Sequence, residues 1–310
     1  MTLERNVMTL SATPPQRDFL GYGDNPPAMS WPDRNGLAVS FVLNIEEGAE
    51  LTLLAGDERN EAVHEVTQEV RGAPDLCLAS HFEYGTRVGY RRIMAVVQDS
   101  GVPITLNACA RSLIGVPWLA EDAIHRGHEI CSHGWRWESH AGMDEATERA
   151  LIARAHAEIG RVSGVAPVGW HTKSSPSVNT RRLLVEHGGF LYDSDAYNDD
   201  LPYYVEVMGS PHLVLPYAFD TNDMRFFGGA TLFQGRDFAD YVIASFDWML
   251  RESRHRPAMM SVGLHLRIIG RAGRIGGLDT VLHHMRQRRG AWLARRDTIA
   301  RHWLNTVPAR

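Results

Sequence analysis

The chain has 310 residues, 44% of them apolar and 22% charged, with a formal net charge of −5 at neutral pH. This is globular composition with material for a large core, and the mild acidity gives no reason to expect nucleic acid or an anionic membrane as a partner. Three cysteines, Cys77, Cys109 and Cys131, form no CxxC pair, which fits buried thiols in a reducing compartment.

The opening "MTLERNVMTLSATPPQRDFL" has no long apolar stretch and carries Glu4 and Arg5 early, so it does not read as a signal peptide. No window approaches the roughly 18 apolar residues of a membrane span. The expectation is a cytoplasmic protein, with residues 1–16 a mobile lead-in and residues 17–310 a single catalytic domain.

Leu37 to Leu43 is a nearly continuous apolar run, which suits a parallel strand covered on both faces. Similar short runs follow: "LCLAS" from Leu76, "PITL" from Pro103, "EIC" from Glu129, "PVGW" from Pro167, "LVLP" from Leu213 and "AMMSVGLHL" from Ala258. Helical stripes lie between them. Leu151, Ala155, Ile159 and Val162 form one, with Asp144 as its N-cap; Phe238, Tyr241, Val242, Ser245, Phe246 and Met249 form another. Strand alternating with helix predicts an α/β fold, a wound sheet or a barrel, with long loops near residues 45–80 and 193–235.

In a barrel, polar residues at the carboxyl ends of strands gather on one face. Glu46 and Glu47 end the first run, His81 and Glu83 follow "LCLAS", His133 follows "EIC", His171 follows "VGW", and His265 ends "SVGLH". Amide hydrolysis needs a base for water and an acid for the leaving nitrogen, and a carboxylate and an imidazole can fill those roles. Two carboxylates beside a histidine could also hold a divalent metal that polarises a carbonyl and acidifies its water. No GxSxG elbow is present. "GRAGRIGG" from Gly270 lacks the ending of a phosphate loop, and the acidic "YDSDAYNDDLPYY" lacks the glycine and terminal glutamate of a calcium loop. Asp193 and Asp195 in that stretch are candidates to orient active-site groups, with the rest covering the pocket.

"NIEEG" (44–48), "SHGWRW" (132–137), "YDSDAYNDDLPYY" (192–204) and "GLHLRIIGRAGR" (263–274) resemble the polysaccharide-deacetylase (NodB-like) superfamily. Within it they are most similar to the branch of bacterial urate-pathway allantoinase and cyclic imide hydrolases. "RDFLGYGDNPP" near the start and "RRDTIARHW" near the end resemble the same branch, so the likeness spans Arg17 to Trp303.

The resemblance implies a distorted parallel (β/α) barrel of about seven strands. It implies Glu46 as base, Glu47 at a ligand position, His133 as the first histidine of the second motif, and His265 as acid. The superfamily's second motif has two histidines four apart that bind zinc or a similar ion. Here the second position is Trp137, whose indole offers no lone pair, and the branch includes members with this tryptophan that act without metal. No cofactor is therefore favoured. The alternative is one divalent metal such as zinc, held by Glu47 and His133 with His171 or His81. Glu83, Arg87, Trp137, His171, Lys173 and Arg271 are the expected substrate-binding residues. The third motif, "GWHTKSSPSVNTRR", departs most from the pattern, carrying His171 and Lys173. The expected activity is hydrolysis of a C–N bond in a small cyclic amide, imide or ureide, with a metal-dependent N-deacetylase of amino sugars or polysaccharide as the alternative. A homo-oligomer, a tetramer, is the partner the branch implies.

Overall fold

The computed structural model describes residues 17–63, 65–66, 68–227 and 234–309; the expected lead-in over residues 1–16 lies outside them. One sheet organises the chain. Its strands are β1 (Leu37–Ile45), β2 (Thr105–Ala108), β3 (Glu129–Ser132), β4 (Gly169–Trp170), β5 (Tyr192–Asp193), β6 (Tyr203–Val207), β7 (Ser210–Val214), β8 (Ala258–His265) and β9 (Ala291–Leu293). The order is β6-β7-β5-β4-β3-β2-β1-β8, with β9 beside the start of β1, and all pairings but β6–β7 are parallel. The sheet curls into a half-barrel of mostly parallel strands, with β6 and β8 at its two ends.

All nine residues of β1 are buried, as an apolar run in a parallel sheet requires. Alternation still divides them. Leu37, Val39, Phe41, Leu43 and Ile45 join the large core packed under the surrounding helices. Ser40 and Asn44 lie on the other face, inside the curl, where Ser40 and Ser261 accept hydrogen bonds from the buried Arg296 guanidinium at 3.1 and 2.7 Å. Glu46 continues the parity of that inner face.

Both helical stripes form. The helix Glu145–Ser163 is capped by Asp144, whose carboxylate accepts from the Thr147 N–H at 3.0 Å, and Gly164 ends it with φ at 75°. The second stripe is the helix Gly235–Glu252. Among the described residues no helix is long and apolar enough to cross a membrane.

Two readings change. "LCLAS" is not a strand but the first turns of the helix Leu76–Tyr84, capped by Asp75, with Leu78 and Phe82 buried four apart. A short apolar run does not by itself separate strand from buried helix, so His81 and Glu83 ride a helix rather than a strand end. The expected loop at 193–235 contains the β6–β7 hairpin, turned by Met208 and Gly209 at φ 54° and 75°, the left-handed pair that a two-residue hairpin turn needs.

Candidate active site

Register assembles the site. Ile45 is level with Ala108, Ala108 with Ser132, and Ser132 with Trp170, so Glu46, Cys109, His133 and His171 occupy the next level of adjacent strands. On the other side of β1, Asn44 is level with His265. Four strand ends that are far apart in sequence thus deliver one carboxylate and three imidazoles to one end of the curl.

Glu46 is 1% exposed. Its Oε1 lies 3.4 Å from His265 Nε2 and 3.6 Å from His133 Nε2, and its Oε2 accepts from Arg267 Nη1 at 2.7 Å. Burial pushes this carboxyl up, but the charges of His265 and Arg267 and the imidazole contacts outweigh it and hold Glu46 well below the usual range. His265 Nδ1–H donates to Asp223 Oδ1 at 2.6 Å, while Asp223 Oδ2 accepts from the backbone N–H of His265 at 2.8 Å and of Ile269 at 3.1 Å. Burial alone would lower this imidazole. The carboxylates of Glu46 and Asp223 lift it to about 10, so it is an imidazolium at neutral pH.

Glu47 is held differently. Its Oε2 accepts from the Glu46 N–H at 3.0 Å, and its buried Oε1 has no hydrogen-bond partner. Burial, opposed by Arg267 and assisted by Glu46, raises its pKa to about 7. The adjacent carboxylates therefore divide, one ionised throughout the working range and one titrating near neutrality. A single π-turn over Gly85–Gly89 lies against Glu47, and a methyl group on Gly85 would overlap the Glu47 carboxylate.

The sequence and the fold have relatives. The polysaccharide deacetylase family profile matches residues 71–188. A Schizosaccharomyces pombe protein named "Putative polysaccharide deacetylase" is 33% identical over 309 residues, covering 93% of this chain and 96% of that protein. The chain belongs to the polysaccharide deacetylase family. Among solved structures, Puue allantoinase superposes with a TM-score of 0.91 at 41% identity, covering 96% of this chain and 100% of that one. A probable polysaccharide deacetylase from Pseudomonas aeruginosa PAO1 superposes with the same TM-score and identity, covering 95% and 99%. The protein is thus a deacetylase-family hydrolase in fold and sequence.

The remaining expected residues of this deacetylase-family chain divide into those brought to the carboxylates and those that are not. His133 Nδ1–H donates to the His171 carbonyl at 2.6 Å, which turns its Nε2 to Glu46. The His171 ring stacks on His133 with centroids 5.3 Å apart. Its Nδ1 accepts from the Asn107 amide at 3.1 Å and its Nε2–H donates to the Tyr197 hydroxyl at 3.1 Å. Burial, with the His133 and Arg296 charges, keeps His171 well below the ordinary histidine range and therefore neutral. Trp137 is buried, with Lys173 Nζ 3.6 Å from its ring centroid and the Arg267 guanidinium at 5.5 Å; Lys173 also pairs with Glu61 at 2.8 Å. Arg271 donates to His81 Nδ1 at 3.0 Å and stacks over Tyr84. Glu83 and Arg87 are corrected: they pair with each other at 3.3 Å with side chains 60% and 75% exposed, so they form a surface ion pair rather than a pocket wall. Asp193 holds Arg181 and His212, and Asp195 accepts from Thr172, so neither orients the histidines at Glu46.

The donors of the expected metal set point elsewhere. Both ring nitrogens of His171 are engaged, His133 faces Glu46 rather than Glu47, and His81 Nε2 faces Glu65 at 3.8 Å. Among the described residues no three His, Cys, Asp or Glu side chains stand where they could share a metal ion. The set of Glu47 and His133 with His171 or His81 does not fit a metal ion.

Three functional residues were not singled out from sequence: Asp223, Arg267 and Glu65. Arg267 lies within "GLHLRIIGRAGR", two residues after His265, and its inward direction was the missed signal. Asp223 and Glu65 lie in long connecting segments, and no periodic pattern ties either to the site.

Proposed function

We propose that this protein hydrolyses a C–N bond of a small cyclic amide, imide or ureide, an allantoin-like or cyclic imide ring, with water as nucleophile. The observation that carries this reading is the contact between an ionised Glu46 and a protonated His265, 3.4 Å apart and oriented by Asp223. Water loses its proton to Glu46 as its oxygen bonds to the ring carbonyl carbon. The tetrahedral intermediate then collapses, the C–N bond breaks, and the His265 Nε2–H protonates the departing nitrogen. Glu46 then holds the proton that His265 has lost, and transfer between Oε1 and Nε2 restores the starting charges. His133 faces the carbonyl, and Trp137, with Lys173 over its ring, borders the site.

Puue allantoinase, similar at 41% identity over essentially its whole length, supports a ureide ring. The relatives named as polysaccharide deacetylases support a second reading, N-deacetylation of an amino sugar or glycan. The test is a panel of hydantoins, allantoin and cyclic imides beside N-acetylated amino sugars, with Glu46→Gln and His265→Ala. Ring opening that falls by about 10²-fold or more in each variant is expected. Acetate release with no ring opening, or near wild-type turnover in either variant, would refute the assignment.

A further inference from the structure

The side chain at the centre of the charge arrangement is Arg267. It is 1% exposed, yet it carries a full positive charge. Its Nη1 lies 2.7 Å from Glu46 Oε2 and 3.9 Å from Glu47 Oε1, and its Nε donates to Glu65 Oε1 at 2.9 Å. The guanidinium carbon sits 4.4 Å from the centroid of the Phe82 ring and 5.5 Å from that of Trp137. A buried guanidinium is stable only when its donors and charge are matched, and this one is matched on both ends by carboxylates and on its flank by rings. The local backbone is shaped for it. A methyl group on Gly89 or Gly270 would collide with the Leu266 carbonyl, so only glycine at both lets the π-turn and the segment carrying Arg267 approach this closely.

The pair of carboxylates that offers itself to a divalent cation is therefore already bridged by a cation belonging to the chain. Nη1 stands in the region that an ion shared by Glu46 and Glu47 would need, and Trp137 closes the adjoining side with an indole.

We propose that Arg267 is the resident cation of this site: it takes the place of a divalent metal between Glu46 and Glu47, keeps a metal out, and aligns Glu46 for proton transfer. Unlike a metal, a guanidinium has no open coordination position, so it stabilises charge only by donating hydrogen bonds. It is a positioning residue, acting through Glu46.

The test reads metal binding, independently of any substrate. Apo protein is titrated with Co²⁺ alone and followed by visible absorption and calorimetry, for wild type, Glu47→Gln, Arg267→Ala, Arg267→Lys, and Arg267→Ala combined with Glu47→Gln. Wild type and Arg267→Lys are expected to take up no Co²⁺ at the site. Arg267→Ala is expected to gain one equivalent that the added Glu47→Gln removes, and to lose about 10²-fold or more in kcat on whichever substrate the panel identifies. Stoichiometric Co²⁺ binding by wild type that Glu47→Gln abolishes would overturn the proposal, as would a folded Arg267→Ala protein that binds no more Co²⁺ than wild type. If Arg267→Ala does not fold, wild type and Arg267→Lys decide alone, because uptake through Glu47 in either contradicts exclusion. Failure of the ring-hydrolase reading leaves these metal readouts unchanged, so the two ideas fail separately.

Discussion

Asp223→Asn changes one charge at nearly constant shape. Asp223 Oδ2 accepts two backbone N–H groups, at 2.8 and 3.1 Å, while Oδ1 faces the protonated Nδ1 of His265 at 2.6 Å. Two backbone donors hold the asparagine oxygen at the Oδ2 position, which turns its NH₂ toward Nδ1. Two donors cannot share that contact, so His265 must release its Nδ1 proton. The imidazole then loses both the charge partner and the hydrogen bond that help lift it to about 10. A neutral imidazole is a poor acid for a leaving nitrogen, and misplacing the proton on a catalytic histidine typically reduces kcat by about 10³–10⁴-fold, or about 4–5 kcal/mol of barrier. The assay is kcat and kcat/KM against pH on the best ring substrate. The alkaline limb should move from near 10 toward or below neutrality, while circular dichroism shows an intact fold. Turnover within about threefold of wild type with the alkaline limb unmoved would refute the role given to Asp223 and, with it, the charged state of His265.

Glu47 titrates near 7, so the wild-type pH–rate profile should step down there to a lower plateau, where a second negative charge opposes the oxyanion, before the final His265 limb near 10; a profile for Glu47→Gln that keeps the step near 7 would refute this. Gly85→Ala places a methyl group in the Glu47 carboxylate. It should cost about 1–3 kcal/mol of stability by overpacking and lower kcat through the displaced glutamate, measured by denaturant melts and turnover; unchanged values for both would show that the π-turn does not fix Glu47. Glu65 is lowered from 4.5 to about 2, with the His81 contact and the Arg267 charge overcoming burial. Its stabilisation is therefore complete above pH 4.5 and is lost as pH falls through about 2. The Tm gap between wild type and Glu65→Gln should be full at neutral pH and close on acidification, and a gap independent of pH would contradict the Arg267 contact. His265 has the opposite sign: its contribution is complete below pH 6.5 and is lost as pH rises through about 10, seen as an alkaline fall in wild-type Tm.

The parts of the site on strand ends were legible in the sequence because a buried parallel strand announces itself as an apolar run and its end as the first polar residue. Glu46, Glu47, His133, His171 and His265 all carry that signature. The same logic misplaced His81, because a short apolar run has no period long enough to separate strand from helix. It passed over β5 because two residues ending in an aspartate leave no run at all. Asp223 was illegible for a different reason. Its value comes from lying beside His265, 42 positions later, and that neighbourhood is made by the isolated bridge between Asn222 and Gly263, a tertiary contact with no local code. Arg267 was within a recognised stretch, but a charged residue after a strand reads as exposed by default. Only the paired carboxylates and ring walls make burial tolerable.

The cations nearest Glu46 are matched internally, and this bears on the charge a substrate can carry there. Arg267 is taken up by Glu46 and Glu65, His265 by Asp223 and Glu46, and Lys173 by Glu61. An anion that paired with Arg267 or His265 would have to break one of these buried contacts, leaving a carboxylate uncompensated at a cost of about 3–5 kcal/mol. A neutral ring requires no such exchange. In the proposed reaction its carbonyl meets His133, and the ion pairs of Arg267 and His265 stay closed until the proton moves from water to Glu46. The compensation that makes Arg267 stable in the core is thus the same feature that, in the proposed reaction, favours an uncharged ring over a charged one.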